Sequence, residues 1–167
     1  DSKATQSDID TAIDELEIGG RNLLPLNNLK GYISGNLVNQ TSYSVSDNGI
    51  ISVINNPSNT LPGWTLNVSD GTLFTISGET TFSTSTMQCW YRGYDIVGNI
   101  TQAQTNFTFP VVNNKFKHTR NFVLPVGTVY LHIGIGSSYA SGVSYDMRIK
   151  LEKGNKATDW TPAPEDV

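Results

Sequence analysis

Met87-Gln88-Cys89-Trp90-Tyr91-Arg92-Gly93-Tyr94-Asp95 reads as a β-strand with two unlike faces. Side chains alternate along a strand with period two. Met87, Cys89 and Tyr91 therefore share one face, and Gln88, Trp90, Arg92 and Tyr94 share the other. The first set suits a core. The second mixes two aromatics with an amide and a guanidinium, an odd dressing for a face that meets only water.

Turn signals bracket this strand and recur on both sides of it. Val97-Gly98-Asn99 closes it. Downstream, Phe107 and Phe109 alternate before Pro110, and Phe116, Phe122 and Leu124 lie in another extended region. Thr128 to Ile133 alternates, and Ser144 to Leu151 is the last strong strand. Upstream, Tyr43 and Val45 lead through Asp47-Asn48-Gly49 into Ile50-Ile51-Ser52-Val53. Asn-Gly between such runs is the strongest short hairpin signal. Asn55-Asn56-Pro57-Ser58-Asn59 breaks the chain. Leu66 and Val68 mark a further strand, and Thr72 to Ser77 another. Strands at this spacing predict an all-β sandwich or barrel. No helix-length pattern interrupts them, which argues against a parallel α/β sheet.

Composition agrees. The chain has 167 residues, so one domain is expected. Apolar residues are 37% and charged residues only 16%. Asn, Ser, Thr and Gly take the difference, as in strands joined by polar turns. The net charge of −4 gives no basic footprint, so neither nucleic acid nor an anionic membrane surface is an expected partner. No long apolar stretch predicts membrane insertion. Cys89 is the one cysteine and reads as a small buried hydrophobe. The sequons at Asn39, Asn67, Asn99 and Asn106 are what chance gives in such a composition.

Residues 1–18 differ from the rest. Ile9, Ala12, Ile13 and Leu16 fall on one helical face, Ser7 is placed to cap, and Gly19-Gly20 stops the helix. Two turns are marginal alone and want a partner. This segment is expected to be a helical stem or linker through which copies of the chain could associate as a homo-oligomer.

Groups for catalysis are sparse. His118 sits in a charged, turn-like run and is expected to be solvated, while His132 lies on a strand. No zinc-protease, serine-hydrolase or phosphate-loop motif occurs. Acids after the stem are few and several are turn residues, so paired-carboxylate chemistry has little to draw on. The chain is expected to be no enzyme and to need no cofactor. A structural Ca²⁺ held by Asp70, Asp146 and loop carbonyls is the one metal worth weighing.

The aromatic positions point elsewhere. On the Thr128 to Ile133 strand, Val129, Leu131 and Ile133 are core-like, and Tyr130 and His132 face away. On the last strand Tyr145, Met147, Ile149 and Leu151 are core-like, and Asp146, Arg148, Lys150 and Glu152 form a polar face. A pyranose offers C–H patches that pack on aromatic rings, and hydroxyls that need planar donors and acceptors at the rim. Gln88, Trp90, Arg92, Tyr94, Tyr130 and His132 would meet both demands. Trp64, in Pro62-Gly63-Trp64, either closes one end of the core or forms a loop wall of the site.

Two segments carry a family resemblance. Ile18-Gly19-Gly20-Arg21-Asn22-Leu23-Leu24 opens the domain, and Ile149-Lys150-Leu151-Glu152-Lys153-Gly154-Asn155-Lys156-Ala157-Thr158-Asp159-Trp160-Thr161-Pro162-Ala163-Pro164-Glu165-Asp166 closes it. The pair resembles the boundaries of carbohydrate-binding-module-like domains in phage and prophage tail proteins of Gram-positive hosts (distal tail, tail-associated or receptor-binding). The resemblance implies a jelly-roll sandwich over residues 19–160 and an exit linker over 161–167. It implies that Asn22-Leu23-Leu24 starts the first strand, and that Trp160 packs back on the sandwich edge. It also implies a virion location at the tail tip, acting at the bacterial surface. Host cell-surface polysaccharide and other phage tail proteins would be the partners. The ligand positions are not carried by these motifs. A tail-decoration domain without sugar binding, an enzyme acting on wall glycan, and an adhesin-like module binding protein at a sheet edge are the alternatives.

Overall fold

Turn chemistry and period-two patterning divide the described residues into eleven strands. The computed structural model describes residues 4–9, 20–69, 71–137 and 141–167. The strands are β1 (Lys30–Ile33), β2 (Asn36–Val38), β3 (Tyr43–Val45), β4 (Ile51–Val53), β5 (Leu61–Asn67) and β6 (Leu73–Thr80). They continue as β7 (Thr86–Tyr94), β8 (Ile100–Pro110), β9 (Lys115–Asn121), β10 (Tyr130–Gly136) and β11 (Tyr145–Lys153). One sheet has the order β2-β1-β5-β10-β7-β8 and the other β3-β4-β11-β6-β9. All pairings are antiparallel. From β4 to β7, and again from β8 to β11, the chain changes sheet at each step. This is the jelly-roll sandwich expected from the sequence.

The two inner faces make one core. Met87, Cys89 and Tyr91 of β7, Leu131, Ile133 and Ile135 of β10, and Met147, Ile149 and Leu151 of β11 are all buried in it. Burial pushes the Cys89 thiol up, which makes it the inert hydrophobe its sequence context suggested. His118 departs from expectation. It lies on β9 rather than in a turn, half-buried, and stacks on Phe109 at 5.6 Å. Desolvation, then Arg120, holds its imidazole below the ordinary range.

The two boundary motifs meet, but not as expected. Asn22-Leu23-Leu24 is not in a strand; the first strand begins at Lys30. Leu23 N–H instead donates one bond to Leu151 O, at 2.9 Å. The buried Asn22 amide ties the rest: its Nδ2 donates to Thr161 O (3.0 Å), and its Oδ1 accepts from Leu24 N–H (3.1 Å) and Leu151 N–H (3.3 Å). Trp160 packs back as expected, with Nε1 donating to Ile149 O at 3.1 Å. Residues 161–167 are a docked segment, not an exit linker. Ala163 is fully buried, and Asp166 accepts from Leu26 N–H (2.6 Å) and Asn27 N–H (2.9 Å).

The closing segment also covers two charges of the polar face that alternation assigned to the last strand. The Lys150 and Glu152 side chains are 1% and 0% exposed, with Nζ and Oε1 3.8 Å apart. Thr158 completes the set. Its hydroxyl accepts from Lys150 Nζ (2.9 Å) and donates to Glu152 Oε1 (2.5 Å), and its N–H donates to Glu152 Oε2 (3.0 Å). Lys150 Nζ also donates to Asp159 O at 2.7 Å. A buried pair is tolerated when its remaining donors and acceptors are satisfied in this way.

At the N-terminus, residues 6–9 are helical. Thr5, not Ser7, is the cap. Asp8 N–H donates to Thr5 Oγ1 (3.1 Å), and Thr5 N–H donates to Asp8 Oδ2 (3.0 Å). This is a reciprocal capping box, and these bonds hold the Asp8 carboxyl below its usual range. The remainder of the expected stem, residues 1–3 and 10–18, lies outside the described residues, as does Asp70.

Removing one partner of a buried ion pair strands the other. Lys150→Met is therefore expected to lower the unfolding free energy by about 3–5 kcal/mol. The exposed Lys156→Met should change it by no more than about 0.5 kcal/mol. Urea denaturation of both variants checks this; equal stability would mean the pair does not hold the closing segment.

Candidate functional site

The register of β7 against β10 builds the face that alternation predicted. Tyr94 lies opposite Tyr130, Arg92 opposite His132, Trp90 opposite Gly134 and Gln88 opposite Gly136. Gln88, Trp90, Arg92, Tyr94, Tyr130 and His132 thus share the outer face of the six-stranded sheet. The rings contact one another. Tyr94 and Tyr130 stack at 5.2 Å between centroids, with 12° between planes. His132 lies 4.4 Å from Tyr94 and 5.9 Å from Tyr130. Trp90, Arg92, Tyr130 and His132 remain partly exposed, whereas Gln88 and Tyr94 are buried.

Trp64 belongs elsewhere. It sits on the inner face of β5, 1% exposed, and its Nε1 donates to Pro25 O at 3.1 Å. It closes the core and forms no wall of this face. The period of β5 decides this: Trp64, Leu66 and Val68 point inward together.

Part of the face is covered by an element that sequence reasoning missed. β1 and β2 form a hairpin across Ser34-Gly35, with Ile33 opposite Asn36. Ser34 has φ 49° and Gly35 φ 84°, the signature of a two-residue type I′ turn. The turn folds onto the sheet. Gly35 O accepts from Tyr94 Oη (3.1 Å) and from His132 Nδ1 (2.8 Å). A carbonyl only accepts, so Nδ1 carries a proton. A Cβ on Gly35 would fall 2.2 Å from Arg92 Nε.

Tyr32 of β1 is the second missed residue. It is fully buried although it is on the outer face. A Cβ on Gly134 would stand 2.8 Å from Tyr32 Cβ, so the bare glycine backbone makes the berth for this ring. The ring reaches to 6.1 Å from Trp90, and its hydroxyl donates to Gln104 Oε1 at 3.0 Å. Two donors beneath the hairpin, Trp90 Nε1 and Arg92 Nε, are buried without a protein partner. The Ser-Gly turn and the Gly134/Gly136 pair within β10 were the sequence signals for this cover.

The face has aromatic surface, hydrogen-bond donors and amides, and none of its residues named above is a carboxylate. Asp95, at the end of β7, spends its Oδ1 on Val97 N–H (3.0 Å) and Asn99 N–H (2.9 Å). Those bonds, the one from Asn99 above all, hold its carboxyl below the usual range. Among the described residues no group of three or more His, Cys, Asp or Glu is placed to hold a metal.

No protein-family model matches the chain, and no curated protein matches it. Solved structures with likeness to it include the enzymatically active domain of tailspike protein 4 of bacteriophage CBA120. That likeness has 17% identity and a TM-score of 0.44 over 81% of this chain, which spans only 20% of that domain. A xylan-binding domain from Paenibacillus barcinonensis is similar at 12% identity and a TM-score of 0.40, covering 81% of this chain and 97% of that one. A Clostridium thermocellum xylanase fragment, solved with xylohexaose, is similar at 12% identity and 0.46, covering 86% and 30%. Likeness this distant says nothing about shared ligands.

The close approach at Gly35 gives a paired expectation. Gly127 has a similar φ of 92° but open space around its Cα. Gly127→Ala should therefore cost only the left-handed backbone strain, about 1–2 kcal/mol. Gly35→Ala should cost that plus displacement of Arg92, a further loss of about 1 kcal/mol or more. Equal losses in denaturant unfolding would show that the hairpin does not rest on the sheet.

Proposed function

We propose that this chain is a non-catalytic carbohydrate-binding module of a phage tail protein, recognising host cell-wall or surface polysaccharide during adsorption. One observation carries the reading: Trp90, Arg92, Tyr94, Tyr130 and His132 lie side by side on an outer sheet face rather than in the core. Trp90 and Tyr130 offer apolar ring surface to sugar C–H patches. Arg92 and His132 supply planar polar groups for hydroxyls. The lack of a carboxylate pair on the face fits binding rather than hydrolysis. A single shallow site binds weakly, and many copies on a virion would raise avidity without new contacts.

A second reading, a tail-decoration domain that contacts protein, has one observation in its favour. The turn between β7 and β8 leaves Ile96 and Val97 each 77% exposed beside the aromatic face. Exposed apolar side chains of this kind suit a protein contact.

Binding of a fluorescent fusion of the chain to host cells, before and after removal of their surface polysaccharide, separates the two. The sugar reading expects binding to vanish on stripped cells, and Trp90→Ala to weaken polysaccharide affinity roughly tenfold or more while the protein stays folded. Equal binding to stripped cells would sink it and favour the protein contact.

A further inference from the structure

We propose that the groove on the outer face of the five-stranded sheet is a second binding site, for a saccharide that carries an anionic group. The groove, of about 560 Å³, lies on the opposite side of the sandwich from the Trp90 face. Strand register lays out its floor. Glu79 stands opposite both Lys115 and Arg148, and Ser77 stands opposite both Lys117 and Lys150. The small Ser77 side chain keeps the floor low at the centre. Lys115 and Lys117 of β9 form one wall, and Thr158, Asp159 and Trp160 of the closing segment form the other.

The charges in the groove do not all cancel locally. Arg148 is paired with Glu79 at 3.3 Å, and Lys150 is buried against Glu152. Among the described residues Lys115 and Lys117 have no carboxylate within ion-pair distance. They sit on the same face of β9, about 7 Å apart along the strand, and β9 contains no acid. An anionic group held between two ammonium groups gains charge-assisted hydrogen bonds from both. Lysines on an edge strand also discourage strand pairing, but that role needs no groove beside them.

The opposite wall completes the chemistry. Trp160 is held rigidly by its bond to Ile149 O and by the Arg148 guanidinium, 5.2 Å from its ring centre. Its ring borders the groove beside that guanidinium. Asp159 supplies a carboxylate that accepts from hydroxyls. Two cations outside any ion pair and a hydroxyl acceptor, set in a groove bordered by Trp160, fit a saccharide bearing phosphate or carboxylate. A neutral glycan would leave both lysines unused. The chain carries a net charge of −4, so the attraction of an anion to this pair is local, and binding must be sensitive to salt. The site uses none of the Trp90-face residues, so either reading can fail alone.

The test is amide NMR of the whole chain titrated with three probes: oligogalacturonate, which carries carboxylates, a glycerol-phosphate oligomer, which carries phosphodiesters, and neutral maltohexaose. At least one anionic probe is expected to shift Ser77, Lys117 and Trp160, and the one that does so identifies the anion. Maltohexaose is expected to leave them unmoved. Lys115→Gln/Lys117→Gln should weaken that binding roughly tenfold, as should a rise in ionic strength from low salt. Trp90→Ala should leave it unchanged. The proposal is overturned if neither anionic probe shifts the groove, if the double variant binds as tightly as the parent, or if the shifts centre on the Trp90 face.

Discussion

The antiparallel register of β7 with β10 decides what the rest of the molecule can be. It aligns Trp90 with Gly134, Arg92 with His132 and Tyr94 with Tyr130. The same alignment turns Met87, Cys89 and Tyr91 inward beside Leu131, Ile133 and Ile135. A slip of one residue would exchange the two sets, exposing the core and burying a guanidinium. The hydrophobic demand of the core thus fixes the geometry of the outer face. It also places Gly134 and Gly136 where no side chain stands in the way. Tyr32 fills part of that space, and the Ser34-Gly35 turn closes over the adjoining rings. The result is a pre-formed face in which ring positions are set by strand pairing rather than by mobile loops. Rigid placement of this kind lowers the entropy lost when a ligand is held.

A second constraint acts at the ends of the domain. Asn22 and Asp166 bind main-chain groups far away in sequence, and Thr158 binds the nearby charged side chains of Lys150 and Glu152. Their bonds hold the opening and closing segments together across the end of β11. Covering Lys150 and Glu152 removes two charges from water, a large cost that full hydrogen bonding offsets. The arrangement also raises Trp160 as a wall beside the outer face of the five-stranded sheet. The groove proposed as an anion site therefore depends on the same clasp that closes the domain.

Much of this was legible in the sequence. Alternation within Met87 to Tyr94 and within Thr128 to Ile133 sorted core from outer face, because both strands are central and flanked on each side. The Asn48-Gly49 hairpin was legible because its turn chemistry is local. The β1–β2 hairpin was not. Its strands are four and three residues long, too short for a period to show, and its packing over Gly134 is a long-range contact. Lys150 and Glu152 were read as part of a polar face, and their burial was not legible, because alternation says which face a residue takes, not what covers that face. Trp64 stayed ambiguous for a related reason: Pro62-Gly63 looks like a turn, yet it lies inside β5. The closing motif was visible as a pattern, but its role as a docked segment rests on bonds to residues more than a hundred positions away.

The central claim is that the Trp90 face receives saccharide. A crystal structure of the chain with an oligosaccharide released from the host surface tests it most directly. The account predicts a sugar ring in van der Waals contact with Trp90 or Tyr130, with its oxygens within hydrogen-bond distance of Arg92 or His132. Saccharide bound at another surface with this face empty, or no saccharide at saturating concentration, would contradict it.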